Sequence, residues 1–187
     1  SITYWLRDAR YIVPLLILPL VPAGLVLAFW LAGIPWSIIV WLPVPLVSLL
    51  IGWSVHNDVA ADGTAFWLHV VTSVRGRADR WGRVVIPLVL GLVVAIAGGV
   101  ISAALHDDDA IAAPLVALSV CALLAGLGVS SVASAVAPYP TVHPGDSPFQ
   151  QPQGTGGGTG MAQIMSLLIA AAACLPVVGA ILAAVAA

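Results

Sequence analysis

Five apolar runs dominate the chain: Tyr11 to Ala32, Ser37 to Val55, Val84 to Leu105, Ile111 to Ala137 and Ile164 to Ala187. Each reaches about 20 residues, the length at which an α-helix crosses about 30 Å of hydrocarbon. Backbone groups in lipid must bond within their own segment, so runs of this kind are helical. A soluble exterior would need charge on about a quarter of the residues. Here 7% are charged, 61% are hydrophobic and the mean hydropathy is +1.10. The expected fold is all-α: one domain, residues 1–187, forming a polytopic transmembrane helical bundle of five spans. Its loops 56–83 and 138–163 lie on one side of the membrane. The first two runs meet at Gly33, Ile34, Pro35 and Trp36, which reads as a tight helical hairpin.

Arginine placement orients the spans, because short loops rich in Arg or Lys stay on the cytoplasmic side. All six basic residues are arginines. Arg7 and Arg10 put the N-terminus inside. Arg75, Arg77, Arg80 and Arg83 put the loop two crossings later inside too, while His106 to Ala110, "HDDDA", falls outside. The 138–163 loop returns to the cytoplasm without a positive charge. Trp30, Trp36 and Trp41 gather at the outer end, with Trp5, Trp53, Trp67 and Trp81 near the inner one, as amphipathic rings at the headgroup level do. The net charge of −2 gives no basic groove, so nucleic acid is excluded as a partner and the lipid bilayer takes its place.

Small residues predict where the helices meet. Gly91, Ala95, Gly99 and Ala103 recur every four residues in the third span, and Ala122, Gly126, Ser130 and Ser134 do so in the fourth. The fifth carries Gly179, Ala183 and Ala187 at the same spacing. Such stripes let a neighbouring backbone approach closely enough for dispersion contacts that lipid does not match. The helix-packing residues expected from this are Gly91, Ala95, Gly99, Gly126 and Ser130. Eight of the fourteen prolines lie inside spans, and each removes a backbone donor and can bend its helix.

The segment "DGTAFWLHVVTSVRGRADRWGR", residues 62–83, is almost the only stretch where polar residues, helix formers and positive charges occur together. Asp62 can cap a helix beginning near Gly63 and ending by Gly76, with Phe66, Val70, Val71 and Val74 on one side and His69, Thr72 and Ser73 on the other. A helix of about three turns is too short to cross and suits the inner membrane surface. The arginines after it serve as retention charges against anionic lipid. A capped helix ahead of them suits a docking element for a partner protein.

Three stretches resemble the permease subunits of ATP-binding-cassette exporters, in particular the actinobacterial permeases of the second exporter class. "YWLRDARY", residues 4–11, is similar to the interfacial helix that leads into the first span of such a unit. Residues 62–84 resemble the cytoplasmic connection holding the coupling helix, and "PYPTVHPGDSPFQQPQG", residues 138–154, resembles the loop before the fifth span. The resemblance implies a six-span unit in the bacterial cytoplasmic membrane, here without its last span, pairing with a second permease unit or a second copy. It implies a separate cassette ATPase subunit that binds the ATP, while this chain holds no cofactor itself. The docking residues it implies are Asp62, Phe66, Trp67 and His69, with Arg7, Asp8 and Arg10 in the supporting helix.

Enzymatic readings find little to build on. A phosphate loop of the G-x-x-x-x-G-K-[ST] type needs a lysine, and the chain has none; "GTGGGTG", residues 154–160, reads as a flexible linker. Asp107 to Asp109 read as a hydrated turn, the four histidines lack the spacing of a metal helix, and Cys121 and Cys174 read as apolar packers. No catalytic, cofactor or metal residues are assigned, so the chain is not expected to be an enzyme by itself. The alternative to an exporter subunit is a structural or assembly subunit of a larger membrane complex without transport activity.

Overall fold

The computed structural model describes residues 9–63, 67, 71–73, 75–106, 108–141 and 157–186. Helix α1 runs Ala9–Leu31, α2 Trp36–Ile39, α3 Pro43–Trp53 and α4 Asp58–Ala61. Then come α5 Gly76–Leu105, a 3-10 turn at Asp109–Ile111, α6 Ala112–Val136, α7 Gly157–Ala172 and α8 Leu175–Ala186. No strand is present among the described residues. The chain is an all-α helical membrane bundle. Among the described residues, four stretches are long and apolar enough to cross a bilayer: Trp36–Trp53, Gly76–Leu105, Asp109–Val136 and Gly158–Ala184. Helix α1 adds a shorter apolar stretch, Leu18–Leu31. Val89, Val93, Ile96 and Val100 leave half or more of their surface open along α5, as side chains facing lipid do.

Prolines divide two of the crossings. Pro43 has no amide proton for the helical ladder and its ring opposes the carbonyl of Ile39, so the second crossing breaks into α2 and α3 with Pro43 in the first turn of the new helix. Pro176 does the same against the carbonyl of Ala172, splitting the fifth into α7 and α8. Pro87 remains inside α5, buried in the bundle.

The centre of the molecule is the packing of α3 on α6, with α5 against both. Ile51, Val55, Leu123 and Leu127 form one buried cluster, flanked by Leu88 and Leu92 of α5. Leu49, Ala122, Ala170 and Cys174 form a second, joining α7 to the α3–α6 pair. Backbones touch where Gly52 crosses Gly126. A Cβ on Gly52 would lie 2.9 Å from the Leu127 amide nitrogen, and one on Gly126 would lie 2.8 Å from the Leu49 carbonyl oxygen. The Ser130 hydroxyl donates to the Gly52 carbonyl at 3.0 Å at the same crossing.

The stripes of small residues divide accordingly. Gly91, Ala95, Gly99 and Ala103 are all buried on α5, and Ala122, Gly126, Ser130 and Ser134 on α6. The stripe expected at Gly179 and Ala183 is instead exposed, and nothing lies within 4 Å of a Cβ built on Gly179. Helix α8 sits at the edge of the bundle, touching mainly α6, so its small residues have no helix to receive. The fifth crossing packs through Ser166, Ala170 and Cys174, four residues apart on α7 and at its end. Ala187 lies outside the described residues.

Two boundaries also differ from expectation. Gly76 does not end a helix; it is the first residue of α5, so Arg77, Arg80 and Arg83 ride on helical turns instead of a loop. The run at 154–160 is not linker throughout, since Gly157 to Gly160 form the first turn of α7.

Candidate functional site

Among the described residues, the ends of α3, α4, α5, α6 and α7 that meet at one face of the bundle carry most of the side-chain contacts between elements. Arg83 is their hub. It projects from the second turn of α5 with 13% of its side chain exposed. Its Nη1 donates to both the carbonyl oxygen and the carboxylate of Asp58, at 3.0 and 3.1 Å. Nη2 donates to the Asp62 carboxylate, and Nε donates to Asp79 at 2.9 Å, one helical turn back on α5. Arg80 shares Asp79 at 2.7 Å. The planar guanidinium suits this, because it offers donors in several fixed directions where an ammonium would not. Asp58 shows the cost of gathering charge here: burial pushes its carboxyl above the ordinary carboxylate range, against the downward pull of Arg83.

A second device closes a ring of hydrogen bonds. The His56 Nδ1 faces the Trp53 carbonyl at 2.8 Å, and since a carbonyl only accepts, Nδ1 carries the proton. Neutral His56 then offers Nε2 as acceptor to the Tyr139 hydroxyl. That hydroxyl accepts from Gln163 Nε2 at 2.8 Å; the Gln163 carbonyl accepts from Ser166 Oγ at 2.8 Å, and Ser166 accepts from the Trp53 indole at 2.9 Å. The Trp53 and His56 rings stack with centroids 3.9 Å apart. Beside the ring, the buried Asn57 amide holds both backbone groups of Tyr139, donating to its carbonyl at 2.9 Å and accepting from its amide at 3.1 Å. Pro138 and Pro140 fix the backbone on either side. Ser134 of α6 accepts from the Val59 amide at 3.0 Å, and Thr141 donates to the Ala60 carbonyl at 3.1 Å.

Burial holds the His56 imidazole below its ordinary 6.5, a shift that its bond to Trp53 opposes. Burial likewise raises the Tyr139 phenol, opposed by Gln163. The folded state therefore binds a proton on His56 less readily than the unfolded chain does. As pH falls below 6.5 the unfolded state takes up more protons and stability falls. Thermal melting of the detergent-solubilised protein between pH 8 and 5 should show this loss, and His56→Gln should reduce the slope. An unchanged slope in the variant would mean that other groups set the acid limb.

Of the residues expected to dock a partner, Asp62 binds Arg83, and Trp67 has 59% of its surface exposed. Trp67 and Val71 have helical backbone. Phe66, His69, Arg7 and Asp8 lie outside the described residues; Arg10 lies in α1, its side chain outside the description. In the sequence, Arg83 is distinguished from Arg75, Arg77 and Arg80 by nothing but its position. Asp58 and Asp62 four residues apart, and Asp79 and Arg83 likewise, were the available signal, since opposite charges in so apolar a chain have reason to pair. Compared with known proteins, the chain matches no family model, no curated protein and no solved structure.

Proposed function

We propose that the chain is the membrane-spanning subunit of an ATP-driven exporter of the cassette type. In this reading it lies in the bacterial cytoplasmic membrane with its N-terminus inside and forms part of the path of a hydrophobic or amphipathic substrate. A separate ATPase subunit docks on residues 62–75. The reading rests on the resemblance of three stretches in the right order, and one observation carries it mechanically. Arg83 at the start of α5 holds Asp58 and Asp62 of the segment that follows α3. A push that reaches Asp58 and Asp62 therefore passes to α5 through Arg83, and the Val59–Ser134 bond extends it to α6. A coupling element needs this kind of stiff connection to more than one crossing.

The competing reading, an assembly subunit of a larger membrane complex, is favoured by the backbone contact of Gly52 with Gly126, which suits a fixed seam. Affinity purification from native membranes separates the two. Recovery of a cassette ATPase whose hydrolysis responds to this subunit is the expected result, and Asp62→Ala combined with Phe66→Ala should abolish both. Retention of the complex and of its coupled hydrolysis in the double variant would dismiss the docking role.

A further inference from the structure

Between the first two turns of α5 and the last part of α6 lies a crevice of about 370 Å³, lined by Gly76, Arg77, Arg80, Trp81, Val84 and Ser131. We propose that this crevice is a binding site for an anionic phospholipid, with the upper acyl chain in the crevice against Trp81, Val84 and the arginine stems and the headgroup phosphate at its mouth, where the Arg77 and Arg80 guanidinium groups end. The three arginines on these turns have different occupations. Arg83 is consumed by three aspartates, and Arg80 gives Nε and Nη2 to Asp79, which leaves Nη1 for a ligand. Arg77 makes no ion pair among the described residues. The Ser131 hydroxyl gives its only proton to the Leu127 carbonyl at 2.8 Å, so the donors to an anion are the arginines.

The remaining walls are apolar, and this decides between ligands of the same charge. A soluble phosphate would be drawn to the two guanidinium groups but would leave Trp81 and Val84 facing water. A phospholipid satisfies both halves at once. Trp81, 64% exposed, stands where α5 passes from its charged turns to the exposed apolar face of Val85, Val89 and Val93, the depth at which indole rings settle at the headgroup level. Basic pockets between spanning helices at a membrane surface bind anionic headgroups by the same combination.

Native mass spectrometry of the full chain, released from micelles doped with equal phosphatidylglycerol and phosphatidylcholine, tests the site. The wild-type protein should retain phosphatidylglycerol at least about fivefold over phosphatidylcholine, the factor one well-placed arginine contributes. Arg77→Gln should bring the ratio close to one, while Arg75→Gln, which removes the same charge outside the crevice, should leave it intact. Equal retention of the two lipids by wild type would overturn the proposal. So would an equal loss in Arg75→Gln, which would indicate general surface charge, or full displacement of the lipid by excess inorganic phosphate, which would indicate a site for a small anion.

Discussion

Gly126→Ala is expected to loosen the bundle far more than one methyl group would suggest, and Gly126→Val to prevent its assembly. A Cβ at this position meets backbone only: the Leu49 carbonyl oxygen at 2.8 Å, the Gly52 carbonyl carbon at 3.0 Å and the Trp53 amide nitrogen at 3.0 Å. Side chains can yield by changing rotamer; a helical backbone cannot. Helices α3 and α6 would have to separate, stretching the Ser130 bond to Gly52 and opening the Ile51, Leu123 and Leu127 cluster. Overpacking of this kind costs about 1–3 kcal/mol, and valine lies beyond that range.

Two other glycines calibrate the result. At Gly91 the added methyl would press on the terminal carbons of Leu123, with Cδ2 at 2.7 Å, so a flexible side chain absorbs part of the strain. At Gly128, on the same helix as Gly126, nothing lies within 4 Å, and alanine should be neutral or stabilising by up to about 1 kcal/mol through its helix propensity. Thermal melting in detergent should rank the variants Gly128→Ala, Gly91→Ala, Gly126→Ala from most to least stable. Equal melting of Gly126→Ala and Gly128→Ala would refute the close crossing.

These positions also show what the sequence made legible. On α5 and α6 small residues alternate with bulky ones at a four-residue period, and a period is visible in one dimension. Gly52 shares the period only with Ser48, four residues earlier in a run of Leu, Val and Ile, and a single pair makes no stripe, so its role emerges only when α6 lies across it. In the fifth crossing alanine is so frequent that Gly179, Ala183 and Ala187 form a stripe by composition alone, while the stripe that packs mixes Ser166, Ala170 and Cys174. The polar end divides similarly. Counting arginines for sidedness treats Arg75, Arg77, Arg80 and Arg83 as equals. Their fates differ because Asp58, Asp62 and Asp79 reach only some of them, which depends on where α4 folds back. The ring through His56, Tyr139, Gln163 and Ser166 joins residues up to 113 positions from Trp53, beyond any local pattern.

Arg83→Ala is expected to cost about 3–5 kcal/mol, the range for removing one partner from a buried ion pair. The guanidinium balances Asp58, Asp62 and Asp79, and both it and the Asp58 side chain are only 13% exposed. Its loss leaves the Asp58 carboxylate, the most buried of the three, beside Asp62 without its counter-charge, while Asp79 keeps Arg80. Lysine should recover only part of the stability, since a single ammonium group does not reach the three carboxylates that Nε, Nη1 and Nη2 meet in different directions around the guanidinium edge. Asp58→Asn introduced with Arg83→Ala should recover more than the same change costs alone, because it removes a stranded charge. The pH dependence gives the sign. Burial already raises the Asp58 carboxyl, and only Arg83 and its neighbour Arg80 draw it down. Without Arg83 the carboxyl rises further, so the folded variant binds its proton more readily than the unfolded chain and gains stability as pH falls. The difference in melting temperature between wild type and Arg83→Ala should therefore narrow from pH 8 to pH 5. A gap that is small at every pH would mean that water, and not Arg83, solvates these aspartates, and the stiff connection between residues 58–62 and α5 would be lost with it.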